Sequence, residues 1–233
     1  MPRYLIRLLL SCLLVVFACA GARAEPLPRI GIIGAGQMGA TLGRLWVNAG
    51  YSVLLASRHP QELQPLVTEL GARAQAGTAQ QVAHYGEIVV LAVPYGALPE
   101  LGKSLAATLA HKVVLDVTNP YPGRDGAIGE QALQMGSGVY SARLFPGTRL
   151  VRGLNALAAA ALAAESNRSA PRIAVPLAGD DPAALASVAE LVKAAGFVPV
   201  VVGGLDTAPL FQPGGALFLQ SLTREQMEQR IPH

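Results

Sequence analysis

A doubly wound α/β domain on a mainly parallel sheet is the fold class this sequence predicts, and three features predict it. Strand-like and helix-like stretches alternate from residue 29 to residue 120, the pattern of successive βαβ units. The strand-like stretches at 30–33, 87–93 and 112–117 are nearly continuous apolar runs, as expected of strands covered on both faces. The first of them empties straight into Gly34-Ala35-Gly36-Gln37-Met38-Gly39, at the head of a helical pattern.

That turn is built for a dinucleotide. Gly34 can take a tight turn, Gly36 has no Cβ to hold a pyrophosphate off the backbone, and Gly39 lets the helix pack close on the strand. The phosphates would sit on N–H groups at the helix start, where the helix dipole is positive. Strand, glycines and helix in this order predict a Rossmann-type sheet, with Gly34, Ala35, Gly36, Gln37, Met38 and Gly39 contacting the cofactor.

Residues 1–24 are set apart. Arg3 and Arg7 precede an apolar run over 8–20, and Ala22-Arg23-Ala24 puts small residues where a signal peptidase reads. The segment reads as a secretory signal peptide cut after Ala24, so the mature protein is expected to be exported, periplasmic or secreted. A retained membrane anchor is the alternative; after cleavage no stable span is expected. Residues 25–233 are then expected to form a single dinucleotide-binding Rossmann domain, with a core at 28–120 and a small C-terminal α/β extension at 121–233. The leader holds three of the 18 Lys and Arg and none of the 15 acids, so the remainder carries no net charge and gives no footing for nucleic acid. Cys12 and Cys19 also lie in the leader, which leaves no disulfide, thiol nucleophile or Cys ligand beyond it.

In chain order, a helix over 37–48 aligns Met38, Leu42, Leu45, Trp46 and Ala49, and Gly50 ends it. A strand over 51–56 follows. Where NAD-specific folds carry an acid for the ribose hydroxyls, this chain has Ser57-Arg58-His59. A hydroxyl and a guanidinium can bind a 2′-phosphate that a carboxylate would repel, so NADP is expected over NAD. Pro60 suits the first turn of a helix reaching about residue 70, closed by Gly71, and Thr78 with Gln81 reads as a capping box. The strand over 87–93 ends in Ala92-Val93-Pro94-Tyr95, beside the end of the first strand. Val93, Pro94 and Tyr95 are therefore candidates to meet the nicotinamide ribose; Tyr95 reads equally well as an ordinary half-buried loop tyrosine. A helix over 97–109 and a strand over 112–117 lead to Thr118-Asn119-Pro120 and a glycine-rich loop over 121–129. Strands at 150–152, 172–178 and 198–202 follow, with an alanine-rich helix after the first. Asp181 is expected to cap, and Pro182 to start, a further helix ending near Gly196. Thr223 and Gln226 form another capping box in a tail that closes over the sheet or over a partner in a homodimer.

Carbonyl reduction needs a proton donor near the nicotinamide. Lys103, Lys112 and Lys193 are not at predicted strand ends, and His59, His84, His111 and His233 read as solvated surface residues. No His, Cys or acid cluster has metal-ligand spacing. Such a set suits direct hydride passage to a second redox ring, a small-molecule acceptor, with the protein positioning both partners.

Taken together, Gly34-Ala-Gly36-Gln-Met-Gly39, Ser57-Arg58, Ala92-Val93-Pro94, Asp116-Val-Thr-Asn119-Pro120, Val151-Arg-Gly-Leu-Asn155 and Ala178-Gly179-Asp180 resemble the NADP oxidoreductases dependent on coenzyme F-420 (F420), over about residues 28–217. The nucleotide domain is also similar to that of the STEAP metalloreductases. The resemblance implies NADP(H) as cofactor and F420 or a flavin as second redox partner. It implies that Ser57 and Arg58 bind the 2′-phosphate, Val93 and Pro94 line the nicotinamide, and Asn119 and Pro120 shape the cleft floor. Asn155 would face the second cofactor and, with Tyr95, line the hydride-transfer cleft. Arg152 stands where the family often has lysine, and the leader departs from the family. Two other readings stay open: an exported nucleotide- or partner-binding module without turnover, and an imine or carbonyl reductase. The latter would expect a long helical dimerisation domain, for which the residues after Gly203 are too few.

Overall fold

The computed structural model describes residues 26–166 and 168–232. The expected leader, with Cys12 and Cys19, lies outside the described residues.

Eight strands form one sheet: β1 (Ile30–Ile33), β2 (Val53–Ala56), β3 (Ala74–Gly77), β4 (Ile88–Leu91), β5 (Val113–Asp116), β6 (Arg149–Gly153), β7 (Ala174–Gly179) and β8 (Val198–Gly203), in the order β3-β2-β1-β4-β5-β6-β7-β8. The strands from β1 to β6 are mutually parallel. β7 pairs antiparallel with β6, and β8 is parallel to β7. The sheet is thus mainly parallel, as expected, and runs unbroken from the core into the C-terminal extension.

The helices are α1 (Gln37–Asn48), α2 (Gln64–Leu70), α3 (Ala79–Tyr85), α4 (Leu98–Leu109), α5 (Pro122–Met135), α6 (Ser137–Leu144), α7 (Ala159–Glu165), α8 (Pro182–Ala194) and α9 (Arg224–Glu228). They cover both faces. Alternate strand residues feed two cores: Ile32, Leu55 and Leu115 pack with Leu42, Trp46, Val188 and Leu191, whereas Ile33, Leu91 and Val114 pack with Leu98, Leu105 and Phe145. Trp46, the only tryptophan, is fully buried and donates its indole N–H to the Leu191 carbonyl at 2.9 Å, tying α1 to α8.

The caps expected from sequence are formed. Thr78 and Gln81 exchange both bonds of a capping box before α3, as do Thr223 and Gln226 before α9. The Asp181 carboxylate accepts from the Ala184 N–H at 2.7 Å, with Pro182 opening α8. Asp181→Ala is expected to lower stability by about 1 kcal/mol, read as an earlier loss of Trp46 fluorescence in denaturant.

Three features depart from the sequence reading. β3, Ala-Gln-Ala-Gly, has no apolar run; it is an edge strand with β2 as its one neighbour, so backbone pairing rather than side-chain burial defines it. Residues 122–135, of which 122–129 were expected in a glycine-rich loop, are helical. Pro122 starts α5, Gly126 takes the kink at φ 58°, and the Asp125 carboxylate holds the Tyr121 N–H at 2.9 Å. The reversed direction of β7 was not marked in its sequence, since an apolar run reads the same both ways.

From β1 the chain winds out to β2 and β3, then returns to β4 on the other side of β1. The carboxyl ends of β1 and β4 therefore flank the switch point, where open α/β sheets take their ligands.

Candidate nucleotide-binding cleft

Three strand ends are tied together at the switch point. The Gly34 N–H donates to the Ala56 carbonyl at 3.1 Å, and the Ala92 N–H donates to the Ile33 carbonyl at 2.8 Å. The glycine turn thus sits between the ends of β2 and β4.

Its three glycines do different work. Gly34 has φ +103°, and a Cβ there would run into the Ala92 carbonyl; a Cβ at Gly39 would run into the Gly34 carbonyl. Both are glycine because the fold demands it. Gly36, at φ −69°, demands nothing: an added Cβ would meet no atom within 4 Å. The backbone at residue 36 is therefore open to close approach from outside.

Gly36 is also the N-cap of α1, with no side chain capping the helix and no acid in the first turn. The Ala40 N–H bonds the Gly36 carbonyl at 2.8 Å, so the N–H groups of Gln37, Met38 and Gly39 have no partner in the preceding turn. Gln37 is exposed, while Ala35 and Met38 are half-buried against the core.

Ser57 and Arg58 follow β2, next to this turn. The Ser57 hydroxyl accepts the His59 N–H at 3.1 Å, which curls the loop and leaves its O–H to donate. Arg58 is exposed and, among the described residues, makes no hydrogen bond or ion pair, so its guanidinium stands ready for an anion. Beyond β4, Val93 is half-buried and Pro94 exposed on the rim.

Tyr95 and Asn155 do not line the cleft. Tyr95 is fully buried, its hydroxyl donating to the Ser137 carbonyl at 3.0 Å and lying 2.9 Å from the Ser141 hydroxyl. Burial, reinforced by the Asp116 charge, pushes its hydroxyl far above the ordinary tyrosine range. The packing of α4 and α6 over Tyr95 outweighed the proximity suggested by its place in sequence. Asn155 is 1% exposed, its amide donating to the Asn119 carbonyl oxygen Oδ1 at 3.0 Å and to the Phe211 carbonyl at 2.9 Å. Asn119 answers by donating to the Asn155 backbone carbonyl at 2.8 Å. The two asparagines clasp together the segments after β5 and β6, and Pro120 beside them is buried.

Sequence reading missed two polar constructions. Asp116, last in β5, and Arg152, beside it in β6, are both fully buried, with Arg152 Nη1 2.7 Å from Asp116 Oδ2. Asp116 Oδ1 accepts from the Thr118 N–H at 2.9 Å and its hydroxyl at 2.6 Å. A charge inside each of two apolar strands was the available signal, because such charges are buried only when paired. The second construction centres on Asp125. Its carboxylate accepts from the N–H groups of Gly96 at 3.0 Å and Tyr121 at 2.9 Å and from the Arg124 guanidinium. Burial alone would raise its affinity for a proton, but those bonds outweigh it and hold the carboxyl below its ordinary range.

The family described as NADP oxidoreductase, coenzyme F420-dependent, matches residues 29–120. Rat (Rattus norvegicus) metalloreductase STEAP3 is 32% identical over 189 residues, 78% of this chain. Residues 29–120 thus carry the sequence pattern of this NADP oxidoreductase family. The chain spans only 35% of the length of the rat relative. Among solved structures, a hypothetical protein from Sinorhizobium meliloti superposes with a TM-score of 0.73 at 28% identity, over 84% of this chain and 96% of that one. A protein from Arthrobacter, named as a candidate F420-dependent NADP reductase, superposes at 0.64 with 25% identity, over 78% of this chain and 87% of its own. The matched stretch contains the glycine turn, the uncapped helix start and the Ser57-Arg58 loop. Among the described residues no cluster of His, Cys or acids could hold a metal, and no helix is long and apolar enough to cross a membrane. A shallow cavity at the other end of the molecule, near Asn48, Arg172 and Lys193, lies among helix C-termini, away from every strand end named above.

Proposed function

We propose that this domain is an NADPH-dependent reductase whose acceptor is a flavin or the deazaflavin F420. The observation that carries the reading is Gly36, a glycine with no structural reason to be one, placed between an uncapped helix start and a free arginine. In this reading the N–H groups of Gln37, Met38 and Gly39 hold the pyrophosphate, with Gly34 and Ala35 forming the turn. Ser57 donates to the 2′-phosphate and Arg58 pairs with it. Val93 and Pro94 form one wall of the nicotinamide site, over a floor braced by Asn119 and Pro120. Bound NADPH supplies a hydride from its nicotinamide. The chain's part is to orient it, because Tyr95 and Asn155 are closed off and no histidine or lysine follows β1, β4 or β5 at the cleft. An acceptor ring that takes hydride without a protein proton donor fits such a cleft. The leader would export the domain, so that cofactor is taken up outside the cytoplasm.

Calorimetry with NADPH and NADH on the parent protein and on Arg58→Ala tests the pocket. The variant is expected to weaken NADPH binding by roughly 10-fold or more while leaving NADH unchanged. NADPH oxidation with FMN or F420, set beside a small ketone and an imine, tests the acceptor. Failure to bind either nucleotide overturns the reading, as does turnover with the ketone or imine alone.

A further inference from the structure

In the segment between β5 and α5 the structure holds an aromatic ring in the open. Tyr121 is 41% exposed, the one aromatic among the large apolar side chains left to solvent among the described residues. It is not a loose side chain. The Arg124 guanidinium lies over one face of the ring, 5.1 Å from its centroid, and is itself pinned by Asp125 and by the Asn119 carbonyl at 2.8 Å. Asp125 holds the Tyr121 N–H and the Gly96 N–H with its two oxygens. One carboxylate thereby fastens the start of α5, after β5, to the turn after β4, in which Gly96 lies two residues past Pro94. The glycines serve the same end: a Cβ at Gly96 would press on Asp125, and one at Gly129 would press on Pro122 and Asp125.

We propose that Tyr121 is the stacking platform for the planar ring of the acceptor. The inference rests on the flavin or deazaflavin reading above and names the residue that would receive that ring. Ordering an aromatic side chain in advance removes an entropic cost from stacking, and the cation and carboxylate behind Tyr121 supply that order. Because Asp125 ties the segments after β4 and β5 together, a tricyclic ring stacked on Tyr121 would sit at the same end of the sheet as the proposed nicotinamide site, as direct hydride passage requires. Nothing in the packing calls for a tyrosine here, since its ring lies outside the described hydrophobic cores.

The test is a titration of FMN into protein saturated with NADP+, where no turnover occurs, read as quenching of flavin fluorescence. The parent protein and Tyr121→Phe are expected to bind FMN alike, and Tyr121→Ala roughly 10-fold more weakly, with NADP+ affinity and the Trp46 unfolding midpoint unchanged in all three. FMN binding as tight in Tyr121→Ala as in the parent overturns the proposal. So does a loss in Tyr121→Phe equal to that in Tyr121→Ala, since Phe keeps the stacking face. A parent protein that binds NADP+ but no FMN overturns this platform and leaves the nucleotide pocket standing; one that binds no NADP+ overturns the reading on which it rests.

Discussion

Gly36→Asp is expected to fold at least as firmly as the parent and to lose NADPH, the two effects running in opposite directions. The position is exposed, its φ of −69° suits any residue, and an added side chain meets nothing. Asp is a good N-cap: its carboxylate can accept from the free N–H groups at the start of α1 and faces the positive end of the helix dipole, worth about 0.3–1 kcal/mol. The same carboxylate would occupy the ground proposed for the pyrophosphate and repel it. A loss of roughly 100-fold in affinity, about 2.7 kcal/mol, is the expected scale. Calorimetry reads the binding and Trp46 fluorescence in denaturant reads the fold. A stable Gly36→Asp protein that still binds NADPH like the parent would remove the observation that carries the functional reading. Gly34 and Gly39 cannot serve this test, because their replacements strike backbone carbonyls and would damage fold and binding together.

What the sequence made legible follows from how local each signal is. β1, β4 and β5 are short buried apolar runs, and α1 has its stripe and its Gly50 stop within a dozen residues, so pattern alone located them. The caps at Thr78, Asp181 and Thr223 were equally local, each an interaction across three residues. β3 was not legible because an edge strand needs only backbone pairing with β2. α5 was hidden by Gly123, Gly126 and Gly129, whose helix-breaking tendency is overcome by Asp125 reaching back to Tyr121 and across to Gly96, 29 residues away. The site divides in the same way. The glycine turn and Ser57-Arg58 are contiguous in sequence and could be read directly. Tyr95 and Asn155 were misplaced because their exposure is decided by elements distant in the chain, α6 for Tyr95 and the Phe211 carbonyl for Asn155. The Asp116–Arg152 pair joins two strands 36 residues apart, and only their register brings the charges together.

That pair carries the largest expected stability effect. Arg152→Leu would leave the Asp116 carboxylate fully buried with no opposite charge, and stranding one member of a buried pair costs about 3–5 kcal/mol. With a denaturant slope near 2 kcal/mol per molar urea, the midpoint read by Trp46 fluorescence is expected to fall by roughly 2 M. Arg152→Lys, which keeps the charge in a smaller side chain, is expected to lose less. A second substitution separates charge from packing. Asp116→Asn added to Arg152→Leu removes the stranded carboxylate yet keeps an oxygen to accept from Thr118, so the double variant is expected to be more stable than Arg152→Leu alone. If the double variant were no more stable, lost arginine packing rather than an unpaired charge would be the cause. The consequence is expected to reach the proposed cleft, because Asp116 fixes Thr118 and Thr118 adjoins Asn119, whose clasp with Asn155 would brace its floor. Under conditions where Arg152→Leu remains folded, its NADPH affinity should therefore fall while its preference for NADPH over NADH, proposed to be set at Ser57 and Arg58 across the sheet, stays intact. The buried ion pair thus joins β5 to β6, whereas the loop proposed to choose the nucleotide follows β2, three strands from β5.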